Sequence, residues 1–521
     1  MRGREGSFRA GTTFGLFAVG GGLAAILSHL DTVTHGFRVP GADLEQLYDR
    51  PFAVMTHLAG LFLGKVHVSP NPLVRSELTV FVGLLGTALA LAGAVRCFRD
   101  PSARFLALFG AAALVAAFTR PVVELLLRVP VANLSMPSRW VFVANLCIAA
   151  LAAWGYDALA KEAGRIPHLT AAAACFFAGL AVIGAGPFRF SSGAFQETLA
   201  GFALAVAAAC AIPRSAAAGA VLGAAAILVD LLPGFLVVNA HADPAPLKEV
   251  PEVVRFAKAR EQEPWRAVGG LRDPSAGPAA ANGWTVTIGY NLLALHGVEA
   301  AAGYEAAPPA SLVAFCTAAG GSVMGSGRVV AFGNLDSRLL DAAGVKYVFM
   351  PYDFEPGGRY RKAGEWGRMR LYENPSALPR AFLARGILPA RDGEEALALL
   401  RRPDFDPASA VILEGAGEAK GTGGRVRWLE RAPDRLRLDV EAEGDGVLVL
   451  TETDHPGWRA RVDGQPAAIR RANVAFRAVE VPAGKHVVEF RFRPWWVMPG
   501  LAGSGFSLLL AALLLGVRKV A

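Results

Sequence analysis

The sequence predicts a polytopic α-helical membrane bundle of about eight spans, with an extracytoplasmic α/β region and a β-sandwich before the last span. Hydrophobic residues make up 53% of the 521 residues, and the mean hydropathy is +0.37. Ordinary soluble proteins are less apolar. The clearest span is Val497–Val517, a run without charge that is followed by Arg518 and Lys519. Its length matches the roughly 20 residues that cross a hydrocarbon layer.

The other spans are predicted from apolar runs of near-spanning length. The first follows Arg2, Arg4 and Arg9 and has no good cleavage site after it, which favours a retained anchor over a signal peptide. Phe52–Val68 carries charge and histidine, which favours an interfacial or re-entrant helix. With the C-terminal run included, the predicted spans lie near residues 12–30, 78–96, 104–119, 139–159, 168–186, 197–213, 216–238 and 497–516.

The placement of basic residues predicts the orientation. The N-terminal arm, the segment Arg96–Arg104 and the C-terminal tail fall on one side of the predicted bundle. Basic residues concentrate on the cytoplasmic side of a membrane, so both termini are predicted there and the large soluble region outside. Arg120 and Arg139 fall on the opposite side. A guanidinium group at the outer face is a candidate ligand for phosphate.

Composition divides the chain into four predicted domains. Short buried strands such as Gly344–Met350 and helical patches such as Gly393–Leu400 indicate an α/β region. Period-two alternation, as in Arg435–Val440, and a hairpin signal at Asp463-Gly464 indicate a β-sandwich. The four parts are the bundle at 1–240 with an external loop at 31–77, the α/β region at 241–416, the sandwich at 417–495, and the last helix with its tail at 496–521.

Several function classes are excluded by the sequence. The net charge is +8, but no nucleic-acid-binding motif accompanies it, and basic residues at span ends explain much of the excess. Four of the five cysteines lie in or beside apolar runs, and Cys316 stands alone in the soluble part. No C-x-x-C or H-E-x-x-H motif is present, so we predict no metal site and no cofactor.

Several blocks of the sequence resemble the YfhO family of bacterial membrane proteins. The most specific are Thr451–Gly464, with its Pro-Gly-Trp and Val-Asp-Gly elements, and Tyr372–Ala381, with Glu-Asn-Pro and Leu-Pro-Arg-Ala. Further similarity lies in Ala472–Val479, Leu340–Val348 and Ser135–Arg139. The resemblance extends from about Leu78 to Pro499. It implies a shortened member, since full members have more spans after the first external loop.

The resemblance implies a protein similar to GT-C glycosyltransferases in the bacterial inner membrane. Such enzymes transfer a sugar from a polyprenyl-phosphate-linked donor to a cell-envelope polymer on the outer face. The expected partners are therefore membrane lipid, a lipid-linked sugar and an envelope polymer. The metal requirement differs among relatives and stays open.

The resemblance also implies an acidic catalytic residue in the first external loop, which runs from Asp31 to Glu77. A carboxylate there can accept the proton of the attacking hydroxyl. The segment from Asp43 through Glu45 to Gln46 resembles the family's Asp-x-x-Gln element, so Asp43 is the first candidate base and Glu45 the second. The alternative is that these are solvated loop carboxylates.

The leaving lipid phosphate requires stabilisation of its developing charge. Arg139 is the candidate phosphate ligand, and Arg120 and Glu124 share its predicted external loop. The alternative for Arg139 is an interfacial arginine that reaches lipid headgroups.

Three tryptophans near the C-terminus can be interpreted from their sequence context. Trp458, beside His455, either stacks on a sugar ring or fills the core of the sandwich. Trp495 and Trp496 precede the last span and fit an aromatic belt at the membrane interface. The leading function is lipid-linked sugar transfer. The alternative is a non-catalytic envelope protein whose external domain binds glycan or a partner.

Overall fold

A computed structural model describes most of the chain in separate stretches. The described chain divides into two compact units, one formed by Pro40–Asp243 and the other by Met1–Val39 with Pro244–Ala521. The described stretches are 84–95, 100–119, 140–161, 215–238, 249–269, 291–301, 303–305, 308–324, 329–351, 355–367, 369–415 and 419–516, with shorter pieces at 27–28, 31, 35, 122, 124–125, 203–205, 207–208 and 211.

The described residues of the unit Pro40–Asp243 are almost all helical. Its main described helices are α1 (Leu84–Val95), α2 (Pro101–Phe118), α3 (Trp140–Lys161) and α4 (Ala216–Val238). The start of α2 is fixed by Asp100, whose carboxylate accepts the backbone N–H groups of Ser102 and Ala103 at 2.7 and 3.3 Å. These bonds satisfy donors that a helix start leaves unpaired.

Glycines let α1 and α3 approach closely. A Cβ at Gly155 would overlap the carbonyl oxygen of Leu89, and a Cβ at Gly93 would overlap the carbonyl oxygen of Leu151. Only glycine therefore fits at these two crossing points. Close backbone approach through small residues is typical of helices that pack in membranes.

The prediction of a polytopic bundle with about eight spans is wrong for the described residues. Among them, only α3 is long and apolar enough to cross a membrane, over Trp140–Asp157. The apolar segment of α1 is Leu85–Ala94, which at 1.5 Å per residue falls well short of a layer about 30 Å thick. Hydropathy detects apolar composition, whereas spanning requires an unbroken helix of sufficient length. The predicted spans at 168–186 and most of 12–30 lie outside the described residues.

Strands dominate the second unit, which also carries six described helices. Those helices are α5 (Glu252–Arg260), α6 (Leu292–Leu295), α7 (Ala310–Ala318), α8 (Leu339–Ala342), α9 (Gly393–Leu400) and α10 (Val497–Gly516). The strands are β1 (Arg266–Gly269), β2 (Glu299–Ala300), β3 (Gly303–Tyr304), β4 (Ser322–Met324), β5 (Val329–Ala331), β6 (Val345–Pro351), β7 (Arg361–Trp366), β8 (Met369–Glu373), β9 (Ala381–Leu383), β10 (Ile387–Ala390), β11 (Val411–Glu414), β12 (Gly424–Arg431), β13 (Arg435–Ala442), β14 (Gly446–Thr453), β15 (Trp458–Val462), β16 (Gln465–Ala467), β17 (Arg470–Ala472), β18 (Phe476–Val481) and β19 (Gly484–Phe492).

These strands form four sheets in the described part of the chain. Their orders are β2-β1-β6-β8-β7, β10-β11-β17-β18-β14-β9, β12-β13-β19-β15-β16 and β3-β5-β4. The second and third sheets share one apolar core, to which β13 contributes Leu436, Leu438 and Val440 and β14 contributes Leu448 and Leu450. Since β9, β10 and β11 precede residue 417, strands from both predicted soluble regions hydrogen-bond within one sheet. The four-part domain division itself stays a prediction.

The helix α10 follows the last strand and exposes a continuous apolar surface. Met498, Leu501, Phe506 and Leu509 are each at least 60% exposed. The apolar part that is described runs over Val497–Leu510, which is shorter than a membrane span. An exposed apolar surface of this kind marks a contact with lipid or with another protein.

Candidate functional site

A cleft of about 1170 Å³ lies in the second unit, between α7 and the turn that joins β14 to β15. The turn supplies Asp454 and His455, and β15 begins with Trp458. Glu414, at the end of β11, and His35 also line the cleft. The volume is slightly above the range of about 300–1,000 Å³ that is usual for small-molecule sites.

Asp31 lies beside two histidines that line this cleft, His35 and His455. Its Oδ1 accepts the indole N–H of Trp495 at 3.3 Å, and its Oδ2 accepts that of Trp496 at 2.9 Å. The residue is 6% exposed. Burial of a carboxylate is tolerated when hydrogen bonds of this kind replace water. The two tryptophans therefore fix the position of the Asp31 carboxylate.

His35 is oriented by Asp31. Its Nδ1 lies 3.0 Å from the backbone carbonyl oxygen of Asp31 and 3.4 Å from the Asp31 carboxylate. A carbonyl oxygen only accepts hydrogen bonds, so Nδ1 carries the proton. In neutral His35 the lone pair is then on Nε2, to which no described residue donates a hydrogen bond. His35 lines the cleft, so this nitrogen is a candidate proton acceptor.

His455 has the opposite arrangement. The backbone N–H of Gly457 donates to its Nδ1 at 3.0 Å, so this nitrogen is unprotonated. Burial lowers the pKa of His455 below its usual value, although the Asp31 carboxylate opposes the shift. Neutral His455 therefore carries its proton on Nε2, which lies 3.5 Å from Asp31 Oδ2. Both imidazole rings thus present an N–H to the same aspartate.

Asp31, His35 and His455 place potential metal ligand atoms within 4.8 Å of one another. The hydrogen bonds do not suit a metal. A histidine ligand normally donates its second ring N–H to an acceptor, whereas Nδ1 of His455 accepts from Gly457. Both oxygens of Asp31 also accept indole N–H groups already. The cluster therefore fits a carboxylate that orients imidazoles better than it fits a metal centre.

A pair of carboxylates, Glu414 and Asp454, lines the same cleft. Arg471 bridges it, with Nη1 3.6 Å from Glu414 Oε2 and Nε 3.4 Å from Asp454 Oδ2. Burial raises the pKa of Glu414, and the nearby Asp454 adds to the shift, while Arg471 opposes it. Oε1 of Glu414 is buried and has no hydrogen-bond partner among the described residues. Such a carboxyl group is suited to hold and release a proton.

Trp458 combines both interpretations from the sequence. One face of its indole stacks on the guanidinium of Arg477, whose Cζ lies 3.9 Å from the ring centroid, and Phe492 packs at 5.2 Å. The ring is only half-buried and lines the cleft. It is therefore a packed side chain that still borders the space where a ligand would bind.

The predicted site residues stay untested. Five of them lie outside the described residues, namely Asp43, Glu45, Gln46, Arg120 and Arg139. Glu124 is described, in a helical and half-buried position, and it interacts with a neighbour. None of the six belongs to the described lining of the cleft.

Sequence reasoning missed the cluster around Asp31. One signal for it was present, because Asp31 is the first residue after the first apolar run and lies in the loop where an acid was expected. The partners gave no such signal. The sequence context of Trp495 and Trp496 indicates only an aromatic belt. Their hydrogen bonds to Asp31 join residues that are 464 and 465 positions apart in the chain.

Comparison with known proteins gives one match. The YfhO family, described as bacterial membrane protein YfhO, matches residues 428–504, a segment that includes His455, Trp458 and both tryptophans bonded to Asp31. No curated protein and no solved structure matches the chain. The resemblance to YfhO is thus confirmed over residues 428–504, which identifies the protein as similar to a family of bacterial membrane proteins.

Proposed function

We propose that this membrane protein transfers a sugar from a polyprenyl-phosphate-linked donor to a cell-envelope acceptor on the outer face of the membrane. The observation that carries the proposal is the orientation of His35. Asp31 holds its Nδ1–H, which leaves Nε2 as a proton acceptor on a 1170 Å³ cleft. A cleft of this size accommodates a sugar and the hydroxyl that attacks it.

His35 would remove the proton of the attacking hydroxyl. Histidine is the most common group for this step, and the Asp31 carboxylate stabilises the imidazolium that forms. Burial raises the pKa of Glu414, which favours its protonated form, so Glu414 would donate a proton to the departing phosphate. No metal is required by these roles.

The position of Asp31 supports a lipid-linked donor. Its two indole partners are immediately followed by α10, whose exposed apolar residues suit contact with lipid. Tryptophan is enriched at the level of lipid headgroups. A prenyl chain could stay in the lipid while its phosphate-linked sugar reaches the cleft.

The test is complementation of a deletion strain, with chemical analysis of its envelope glycans. We expect His35→Gln to remove the glycan change that the wild-type gene restores, since loss of a general base costs roughly 10²–10⁴-fold in rate. His486→Gln is the matched control, because His486 pairs with Asp463 and does not line the cleft. Full glycan restoration by His35→Gln, at wild-type protein levels, would refute the proposed base.

One observation favours the alternative, a non-catalytic envelope protein that binds glycan or a partner. Both oxygens of Asp31 accept indole N–H groups. This arrangement is what a purely structural contact between two segments of the chain would need. Purified protein in lipid nanodiscs separates the two functions. Release of polyprenyl phosphate from a lipid-linked sugar supports transfer, whereas saturable glycan binding without release supports the alternative.

A further inference from the structure

A cluster of arginines in the second unit carries more positive charge than its acidic partners neutralise. Its members lie on five strands and on one segment that connects two strands, close to Trp458. Four guanidinium groups and two carboxylates take part, which leaves two formal positive charges in excess. The members are Arg266, Arg380, Arg431 and Arg477 with Glu299 and Glu452.

Both carboxylates are already shared among arginines. Arg380 is 1% exposed, pairs with Glu299 and with Glu452, and donates Nε to Thr451 Oγ1 at 2.7 Å. Arg431 also pairs with Glu299, and its Nη2 is 3.4 Å from Glu452. Arg380 and Arg431 therefore share both carboxylates.

Arg266 is the third arginine that forms an ion pair with Glu452. Nη2 of Arg266 lies 3.6 Å from Oε2 of Glu452. Its Nη1 donates to the backbone carbonyl oxygen of Ala343 at 3.1 Å. Burial lowers the pKa of Arg266 to about 9, which still leaves it charged at neutral pH. The positive charge of the cluster is therefore retained under physiological conditions.

Among the described residues, Arg477 is the arginine of this cluster that forms no ion pair. It is 1% exposed, and its Nε and Nη1 have no hydrogen-bond partner among the described residues. Its guanidinium rests on Trp458 at 3.9 Å and lies 5.6 Å from the Phe490 centroid. Burial lowers its pKa to about 10, so it too stays charged at neutral pH. Glu452 and Asp454 attract this charge, but among the described residues neither forms an ion pair with it. A buried charge without a paired partner is costly, and an anion would offset that cost.

A pocket of about 300 Å³ adjoins this arginine. Its polar lining consists of Glu299, Arg431, Glu452 and Arg477, and Trp458 and Leu436 are among its apolar walls. We propose that this pocket binds a phosphate group through Arg477 and Arg431. Phosphate oxygens would accept the unpartnered N–H groups of Arg477, and guanidinium groups fit such oxygens better than an ammonium group does.

The inference does not depend on the proposed sugar transfer. A soluble phosphate compound and a lipid phosphate headgroup share the chemistry that the pocket recognises. Trp458 lines both this pocket and the large cleft, so either source could reach it beside a ligand in the cleft. The experiment therefore includes one arm for each source.

The first arm measures thermal unfolding of the full chain in detergent as inorganic phosphate is added, against sodium chloride at equal ionic strength. A specific site raises Tm with phosphate and leaves it unchanged with chloride. The second arm compares nanodiscs with and without polyprenyl phosphate. A Tm rise in either arm supports the site and identifies its source, and no rise in both arms overturns it.

Variants locate the effect. Arg477→Gln is expected to weaken phosphate binding about tenfold or more, since it removes a charged partner. Its unfolding temperature without phosphate should not fall, because the replaced charge has no ion pair. Arg431→Gln should also weaken phosphate binding. If Arg477→Gln does not fold, the phosphate response of Arg431→Gln tests the proposed site instead. Arg427→Gln is the control, since Arg427 is 67% exposed and pairs with Asp439 on the same sheet as Arg431. Equal phosphate responses in all three variants would refute the proposed residues.

Discussion

Nε1 of Trp496 lies 2.9 Å from Oδ2 of Asp31, although the two residues are 465 positions apart in the chain. The bond joins the residue after the first apolar run to the residue before α10. It fixes the aspartate that orients both imidazoles of the cleft. The stability of the second unit and the geometry of its candidate site therefore depend on the same contact.

Replacing Trp496 by phenylalanine should lower stability measurably. The change keeps most of the ring and removes only the N–H that Asp31 Oδ2 accepts. A hydrogen bond to a charged group contributes about 1.5–3 kcal/mol, so a lower Tm is expected in thermal unfolding of the purified chain.

Trp495→Phe is the matched comparison for this variant. Trp495 is 57% exposed, and its bond to Asp31 is longer, at 3.3 Å. Water can replace it more easily, so the loss of stability should be smaller. Equal losses of stability in the two variants would contradict the expectation that the Trp496 hydrogen bond stabilises the protein more than the Trp495 hydrogen bond.

His455 should make the protein less stable in mild acid. Burial holds its folded pKa below the usual 6.5, while the unfolded chain keeps the usual value. As pH falls through that value the unfolded state binds the proton first, so stability is lost down to the folded pKa. Asp31 opposes the shift, whereas His35 and Arg477 reinforce it.

The measurement is Tm between about pH 7.5 and about pH 5, in wild type and in His455→Gln. The wild-type Tm should fall across this window, and the variant should lack the part of the fall due to His455. His486→Gln is the control, because its Asp463 partner raises the pKa of His486 and gives the opposite slope. A steeper fall in His455→Gln than in wild type would contradict the assignment.

Gly155→Ala should destabilise the helical unit. The added methyl group would overlap the carbonyl oxygen of Leu89 in α1, so α1 and α3 must move apart. Overpacking of this kind costs about 1–3 kcal/mol. Gly505→Ala in α10 is the control, since a Cβ there meets nothing within 4 Å and alanine favours a helix. A lower Tm for Gly505→Ala than for Gly155→Ala would refute the packing argument.

The sequence by itself determined several local elements. Alternation at Arg435–Val440 predicted a strand with one buried face, and β13 buries Leu436, Leu438 and Val440. The pattern at Gly393–Leu400 predicted α9 with the same bounds. Asp463 and Gly464 form the turn between β15 and β16, both with positive φ. These elements were predictable because their signals lie within a few consecutive residues.

Only the tertiary structure decided which distant residues meet and which apolar runs become long helices. The acid beside the two cleft histidines is Asp31, which is held by Trp495 and Trp496 from the far end of the chain. Arg477 is unpaired because Glu299 and Glu452, from β2 and β14, are shared by other arginines. Such partnerships leave no mark on local sequence, since hydrogen bonds and ion pairs depend on distances that folding creates. Hydropathy likewise measures composition, whereas a span requires a continuous helix.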